Sequence, residues 1–211
     1  EEPIEFLHKH KKSIVDQREL GLDTLSYHNA LKNAMREAPD VILIGEIRDA
    51  ETMKHAISYA DTGHLCLSTL HSNNASQTMD RIINFFPDSA HHQLFVDLSE
   101  HLSAIVSQRL VPTVEGGRVP AVEVLVRTPY VADLIEKRDL DGLKDAMKDG
   151  AQDGMQTFDQ ALLKLYEEGR ISEKEALANA DSRNNLSLGI RMTRDHGTQD
   201  APSGLDIQQW E

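Results

Sequence analysis

PDVILIGEIRDAETMKHAISYADTGHLCLSTLH, residues 39–71, decides how the rest of the chain is read. Val41, Ile42, Leu43 and Ile44 form a short continuous apolar run, the length and composition of a strand buried on both faces. Gly45 and Glu46 follow at once, so an acid stands at the carboxyl end of that strand. In an open parallel sheet the loops leaving the strands converge on that edge, which is where ligands sit. Asp49 offers an N-cap for a helix in which Met53, Ala56, Ile57 and Ala60 share one face. Gly63 ends that helix, and a second apolar run, Leu65 to Leu70, delivers His71 to the same edge. Glu46 and His71 are thereby expected to face one phosphate-sized ligand.

Upstream, Ile14 and Val15 read as a short strand, and Thr24 to Arg36 as a helix that stops before Pro39. Downstream, Asn74 and Gln77 are spaced as a capping box for a helix to Phe86, with Pro87 as its stop. Leu94, Leu98, Leu102, Ile105 and Leu110 stripe the next predicted helix, and Val111 to Val126 reads as a hairpin turning at Glu115-Gly116-Gly117. Past Thr128 the pattern becomes wholly helical, at about 131–137, 139–148, 155–168 and 172–180, with Gly169 as a C-cap and Ser172 and Glu175 as a capping box. From Thr193 the chain turns polar, and a disordered tail over 193–211 is expected. The expected organisation is an α/β unit over 1–128, a helical subdomain over 129–192 and that tail.

Composition narrows the function classes. A net charge of -13 over 211 residues argues against a general nucleic-acid binder, which would show a basic stripe. Cys66 is the only cysteine, which rules out a disulfide framework and a four-cysteine zinc site and fits a reduced, cytoplasmic setting. No stretch reaches the ~18 apolar residues of a membrane span. The chain opens on Glu1 in mid-motif, so it is expected to be a piece of a longer protein.

An apolar strand followed by an acid is the Walker-B pattern of phosphoryl-transfer proteins, in which the acid holds Mg²⁺ or orients the attacking water. Alone that pattern is weak, because acids at strand ends are more often solvated or capping residues. The company of Glu46 strengthens it: Arg48, Asp49, and His64 and His71 bracketing the next strand. Each of these also has a plain reading, as a local ion pair, a cap or a satisfied surface histidine.

In combination the motifs become specific. Glu2-Pro3-Ile4-Glu5-Phe6, Gln17-Arg18-Glu19, Pro39 to Asp49, and Thr62-Gly63-His64 through Thr69-Leu70-His71 resemble the secretion-type ATPases of type IV pilus and type II secretion machines. Asp80 to Pro87 and Gly154 to Leu162 continue the match, which covers about residues 1–192. Without paired CxxC cysteines the chain looks like the retraction ATPases of twitching motility, the PilT/PilU type, rather than the assembly type. Tyr130-Val131-Ala132-Asp133-Leu134-Ile135, and the ending from Asn179 to Met192, place it nearer the accessory PilU branch.

The resemblance implies a RecA-like P-loop NTPase core followed by a helical subdomain, with ATP and Mg²⁺ as ligands. It implies Glu46 as the Walker-B glutamate that polarises water, and Glu5, in the Asp box, as the acid near Mg²⁺ and the γ-phosphate, with Glu46 also facing the metal. His64 and His71 are then the His-box residues at the nucleotide and subunit interface. Arg18, Arg36 and Arg48 are candidates to neutralise phosphate or bridge subunits. The pair Glu1-Glu2 stands where the family usually has Glu-Asp, which leaves the role of Glu2 open. The implied setting is a homo-hexamer at the inner face of the cytoplasmic membrane, beside a pilus platform protein and a second retraction ATPase, with no nucleic acid.

No GxxxxGK[ST] segment occurs in these residues, so they are expected to bind ATP poorly by themselves. Three rivals stand beside this reading: a type II secretion or pilus assembly ATPase, a non-catalytic hexamer partner of another motor, and a histidine-metal protein. For the last, no pair among His8, His10, His64, His71, His91 and His92 has ligand spacing supported by a second site.

Overall fold

The computed structural model describes residues 1–197, which fall into two compact units. One holds Glu1–Ile105 with Val126–Ala146, and the other Val106–Leu125 with the chain from Met147 onward. The boundary expected at Thr128 is therefore displaced in both directions: the hairpin goes with the carboxy-terminal helices, and the helix after Thr128 goes with the first unit.

The first unit is built around β1 (Val41–Ile44) and β2 (Leu65–Ser68), two parallel strands in register from Val41 opposite Leu65 to Ile44 opposite Ser68. Between them runs α2 (Ala50–Asp61), capped by Asp49, whose carboxylate accepts the Thr52 N–H at 2.8 Å. Met53, Ala56 and Tyr59 are its buried face. Gly63, at φ +90, then lets the His64 N–H reach back to the Tyr59 carbonyl at 3.0 Å, a left-handed close that a residue with a Cβ adopts only under strain. The strand–helix–strand unit is as predicted. The burial of β1 is not: Ile42 and Ile44 face inward at 6% and 2% exposure, while Val41 and Leu43 are exposed at 51% and 55%. One face of the two-stranded sheet carries the packing.

α1 (Tyr27–Ala34) starts later than the predicted Thr24, because the Ser26 hydroxyl caps the Asn29 N–H. The strand expected at Ile14 and Val15 is absent: both are exposed, and residues 1–26 pair only through an isolated bridge between Leu20 and Thr24. An apolar pair with nothing to bury against has no reason to extend into a ladder. α3 (Ala75–Asn84) is capped at Asn74 as expected, but the Gln77 side chain accepts from the Asn73 N–H at 3.3 Å in place of the return bond of a capping box, and the helix ends two residues before Phe86; α4 (His91–His101) packs against α5 (Pro129–Glu136).

The apolar stripe from Leu94 does not stay helical to Leu110. Leu102 is extended, and residues 104–112 alternate between buried and exposed as β3 (Ala104–Pro112). The β-branched Ile105, Val106 and Val111 suit a pleated surface, and strand pairing overrides a helical spacing that Leu102 and Ile105 matched by coincidence.

In the second unit, β3 and β4 (Arg118–Val126) form a sheet of their own, joined by the predicted Gly-Gly turn. Val111, Val119 and Ala121 pack with Phe158, Leu162, Ile171, Leu186 and Ile190. Phe158 and Leu162 come from α7 (Phe158–Glu167) and Leu186 and Ile190 from α9 (Arg183–Gly197), while Ile171 sits in the turn before α8 (Glu173–Asn179), which adds Ala176. A capping box between Thr157 and Gln160 opens α7. At α8, Ser172 caps the Glu175 N–H. Gly169, at φ +69, closes α7 as expected. α9 was not predicted, and it makes residues 193–197 helical where a tail was expected; the rest of that predicted tail lies outside the described residues. α6 (Gly142–Asp149) begins in the first unit and ends in the second.

Tyr59 is 3% exposed, and its hydroxyl has no hydrogen-bond partner among the described residues. Burial, aided by the nearby Cys66 thiol, pushes its pKa up to about 12 from 10.0. Between those values an unfolded chain has released this proton while the folded chain holds it, so the tyrosine makes stability fall as pH rises through that window. Tyr59→Phe is expected to remove that component and to change stability by less than ~1 kcal/mol at pH 7, since a buried unpaired hydroxyl contributes little. Urea denaturation of both proteins at pH 7 and pH 11 checks this, and a loss above ~2 kcal/mol at pH 7 would contradict it.

Candidate active site

Two chain segments leave the parallel strands side by side. The Ile47 N–H donates to the Thr69 carbonyl at 3.0 Å, and the Thr69 hydroxyl donates back to the Gly45 carbonyl. Beyond the formal strand ends, these bonds hold residues 45–47 against 69–71, and Ile47, 4% exposed, anchors the first of them in the core. Glu46 and His71 meet as a consequence: His71 Nε2 lies 3.1 Å from Glu46 Oε2. The other carboxylate oxygen of Glu46 accepts from Arg48 Nε, and the Arg48 guanidinium also lies 3.6 Å from a Glu2 carboxylate oxygen. The Glu46 side chain is 23% exposed, whereas those of His71 and Arg48 are 77% and 60% exposed. A carboxylate held on both oxygens, with its partners open to solvent, is poised to accept a hydrogen bond from a water or to face a hydrated cation.

The other candidates are distributed differently. Glu5 is exposed and forms no hydrogen bond or ion pair with this cluster; the amino-terminal acid that joins it is Glu2. Glu1 lies alongside, its carbonyl accepting the Leu20 N–H at 3.0 Å and its α-carbon 3.8 Å from where a Cβ on Gly45 would stand. His64 is separated from His71 by β2, ~10 Å of strand at the usual rise. It stands at the opposite end of the sheet, where its Nδ1 lies 3.0 Å from the Thr62 hydroxyl. The two His-box histidines therefore do not share one edge. Arg18 pairs with Glu37, and Arg36 is exposed with no ion pair among the described residues. Cys66 is half-buried, and burial raises its thiol pKa, so it is no nucleophile at neutral pH.

Beside His71 opens a groove of about 420 Å³, with Ser72, Gln77, Asp80 and Arg81 on its walls. The sequence marks Gln77 as a capping partner and Asp80 and Arg81 as the start of a matching segment, but assigns none of them to the site. Their signal was the polar face opposite Met79 and Ile82, which any surface helix also shows.

The family described as Type II/IV secretion system protein matches residues 1–122, more than half of the chain, and the chain belongs to it. Over 193 residues it is 56% identical to the Type IV pilus ATPase PilU of Pseudomonas aeruginosa, covering 91% of this chain and 50% of that protein. Over 180 residues it is 42% identical to the Type IV pilus retractation ATPase PilT of the same organism, covering 85% of this chain and 52% of that protein. The crystal structure of the pilus retraction motor PilT with bound ADP superposes with a TM-score of 0.82 at 44% identity, covering 89% of this chain and 53% of that one. The fold class expected from the motifs, part of a RecA-like P-loop ATPase core with following helices, is the one found. Identity is higher to PilU than to PilT, as the 130–135 segment suggested. The chain spans about half the length of the curated relatives it matches.

Proposed function

We propose that the protein is an ATP-hydrolysing motor subunit that powers type IV pilus retraction. The observation that carries this is the Glu46–His71 pair, 3.1 Å apart at the carboxyl edge of two parallel strands, with Arg48 and Glu2 closing the cluster. Glu46 orients the attacking water and accepts its hydrogen bond, while His71 and Arg48 hold the carboxylate in place. Two carboxylates of this kind, Glu46 and Glu2, suit the hard, oxygen-preferring chemistry of a hydrated Mg²⁺. When bound, that ion neutralises phosphate charge. Glu5 reaches the cluster only if its loop is drawn in.

No GxxxxGK[ST] segment is among these residues. Homo-hexamer formation, work beside a second retraction ATPase and a platform protein, and a cytoplasmic place at the inner membrane face belong to the same proposal. Among the described residues no helix is long and apolar enough to cross a membrane.

Deleting the gene from its host is expected to shrink the twitching zone while surface pili persist, and the intact gene restores it. A deletion strain without surface pili would mean an assembly motor instead. Unchanged retraction, alone and in a strain also lacking any second retraction ATPase, would overturn the proposal.

A further inference from the structure

His28, Glu51 and His55 come together on the surface of the first unit, from α1 and α2. Ser26 caps α1 and so sets His28 in its first turn, while Glu51 and His55 are one turn apart on α2 and share a face. His28 Nδ1 lies 3.1 Å from His55 Nε2 and 3.3 Å from Glu51 Oε1, and the three atoms are all within 4.8 Å of one another.

Two features of this cluster go beyond ordinary surface pairing. First, a tetrahedral zinc ion with bonds near 2.0–2.1 Å holds its ligand atoms ~3.3 Å apart, close to the two contacts of His28 at 3.1 and 3.3 Å. Second, His28 Nδ1 faces both a ring nitrogen and a carboxylate oxygen. A proton on that nitrogen is shared between two acceptors, and without one its lone pair opposes the carboxylate. A divalent cation satisfies all three lone pairs at once.

One of the two imidazoles is also packed from behind. The His55 ring stacks on Tyr59 with centroids 6.2 Å apart and planes at 21°, and Tyr59 is buried in the core. That packing limits the rotation of the His55 ring. The His28 and Glu51 side chains are 52% and 70% exposed, which leaves the ion a path in and room for a water as fourth ligand.

We infer that His28, Glu51 and His55 form a zinc site that ties α1 to α2. Two imidazoles and one carboxylate are a donor set zinc takes readily, with the remaining position open. The ion acts as a staple: it binds the folded arrangement, in which residues 28 and 55 are neighbours, and so stabilises it by mass action.

The test uses the whole protein, stripped with EDTA, titrated with ZnCl₂ by calorimetry and melted with and without the metal. One equivalent is expected to bind with micromolar affinity or tighter and to raise the melting temperature. His28→Ala and His55→Ala should each weaken binding at least tenfold and abolish the thermal shift, Glu51→Gln should weaken it less, and His92→Ala should leave it unchanged. Metal-free variants that melt with the metal-free parent show that the loss is not unfolding. If His55→Ala melts lower because its ring packs on Tyr59, the exposed His28→Ala and Glu51→Gln carry the test. Zinc binding weaker than ~100 μM, on the scale where 1 μM already means tight capture, or binding that survives His28→Ala and Glu51→Gln, overturns the site.

Discussion

Replacing Glu46 by Gln in the whole protein is expected to lower ATP turnover by ~10²–10⁴-fold while changing nucleotide affinity only a few-fold, because positioned acid–base groups contribute on that scale. The amide keeps the shape of the carboxylate and can still meet His71 Nε2, now 3.1 Å from an acid oxygen, but it carries no charge and is a far weaker acceptor for water. It also leaves Arg48 with Glu2 as its remaining acid. Phosphate release and fluorescent-nucleotide binding, measured side by side, separate the two effects. Equal loss of binding and turnover would make Glu46 a structural residue, and undiminished hydrolysis would remove it from the chemistry altogether.

The second large effect is on stability. Phe158 is fully buried among Val111, Val119, Leu162 and Ile190, and the Arg109 guanidinium carbon sits 3.9 Å from its ring centroid. Arg109 is held there from its other side by the Asn179 carbonyl at 2.8 Å and the Asp181 carboxylate at 2.7 Å. Phe158→Ala therefore removes a core ring and the face on which a tethered cation rests, and a loss of ~3–5 kcal/mol is expected. Phe158→Leu keeps most of the volume and should cost less than half as much. Denaturant midpoints, with the slope compared between variants, give both numbers. A loss below ~1 kcal/mol for the alanine would mean that the hairpin and the helices of this unit do not depend on their shared core.

Local signals in the sequence were sufficient wherever the determining contact lies within a few residues. Asp49, Asn74 and Ser172 cap the helices that follow them, because a cap needs only a short polar side chain and an N–H three residues on. Gly63 and Gly169 end theirs for the equally local reason of a left-handed backbone. The strand–helix–strand unit that carries Glu46 to His71 was legible on the same terms, since both strands and the intervening helix declare themselves by period and punctuation.

What depended on distant partners was not legible. Residues 104–112 match a helical stripe until strand pairing claims them, and Val41 and Leu43 read as buried until only one face of their sheet is seen to carry packing. Glu2 rather than Glu5 enters the site because its carboxylate meets Arg48, a residue 46 positions away. His28 and His55 meet only because α1 lies against α2. By itself, then, the sequence determined the caps, the strand ends and the acid at the sheet edge, all set by steric and hydrogen-bonding rules that act over one turn. The tertiary structure alone decided which side chains share a site, because apposition across dozens of residues comes from burial of the whole core and leaves no periodic trace in the chain.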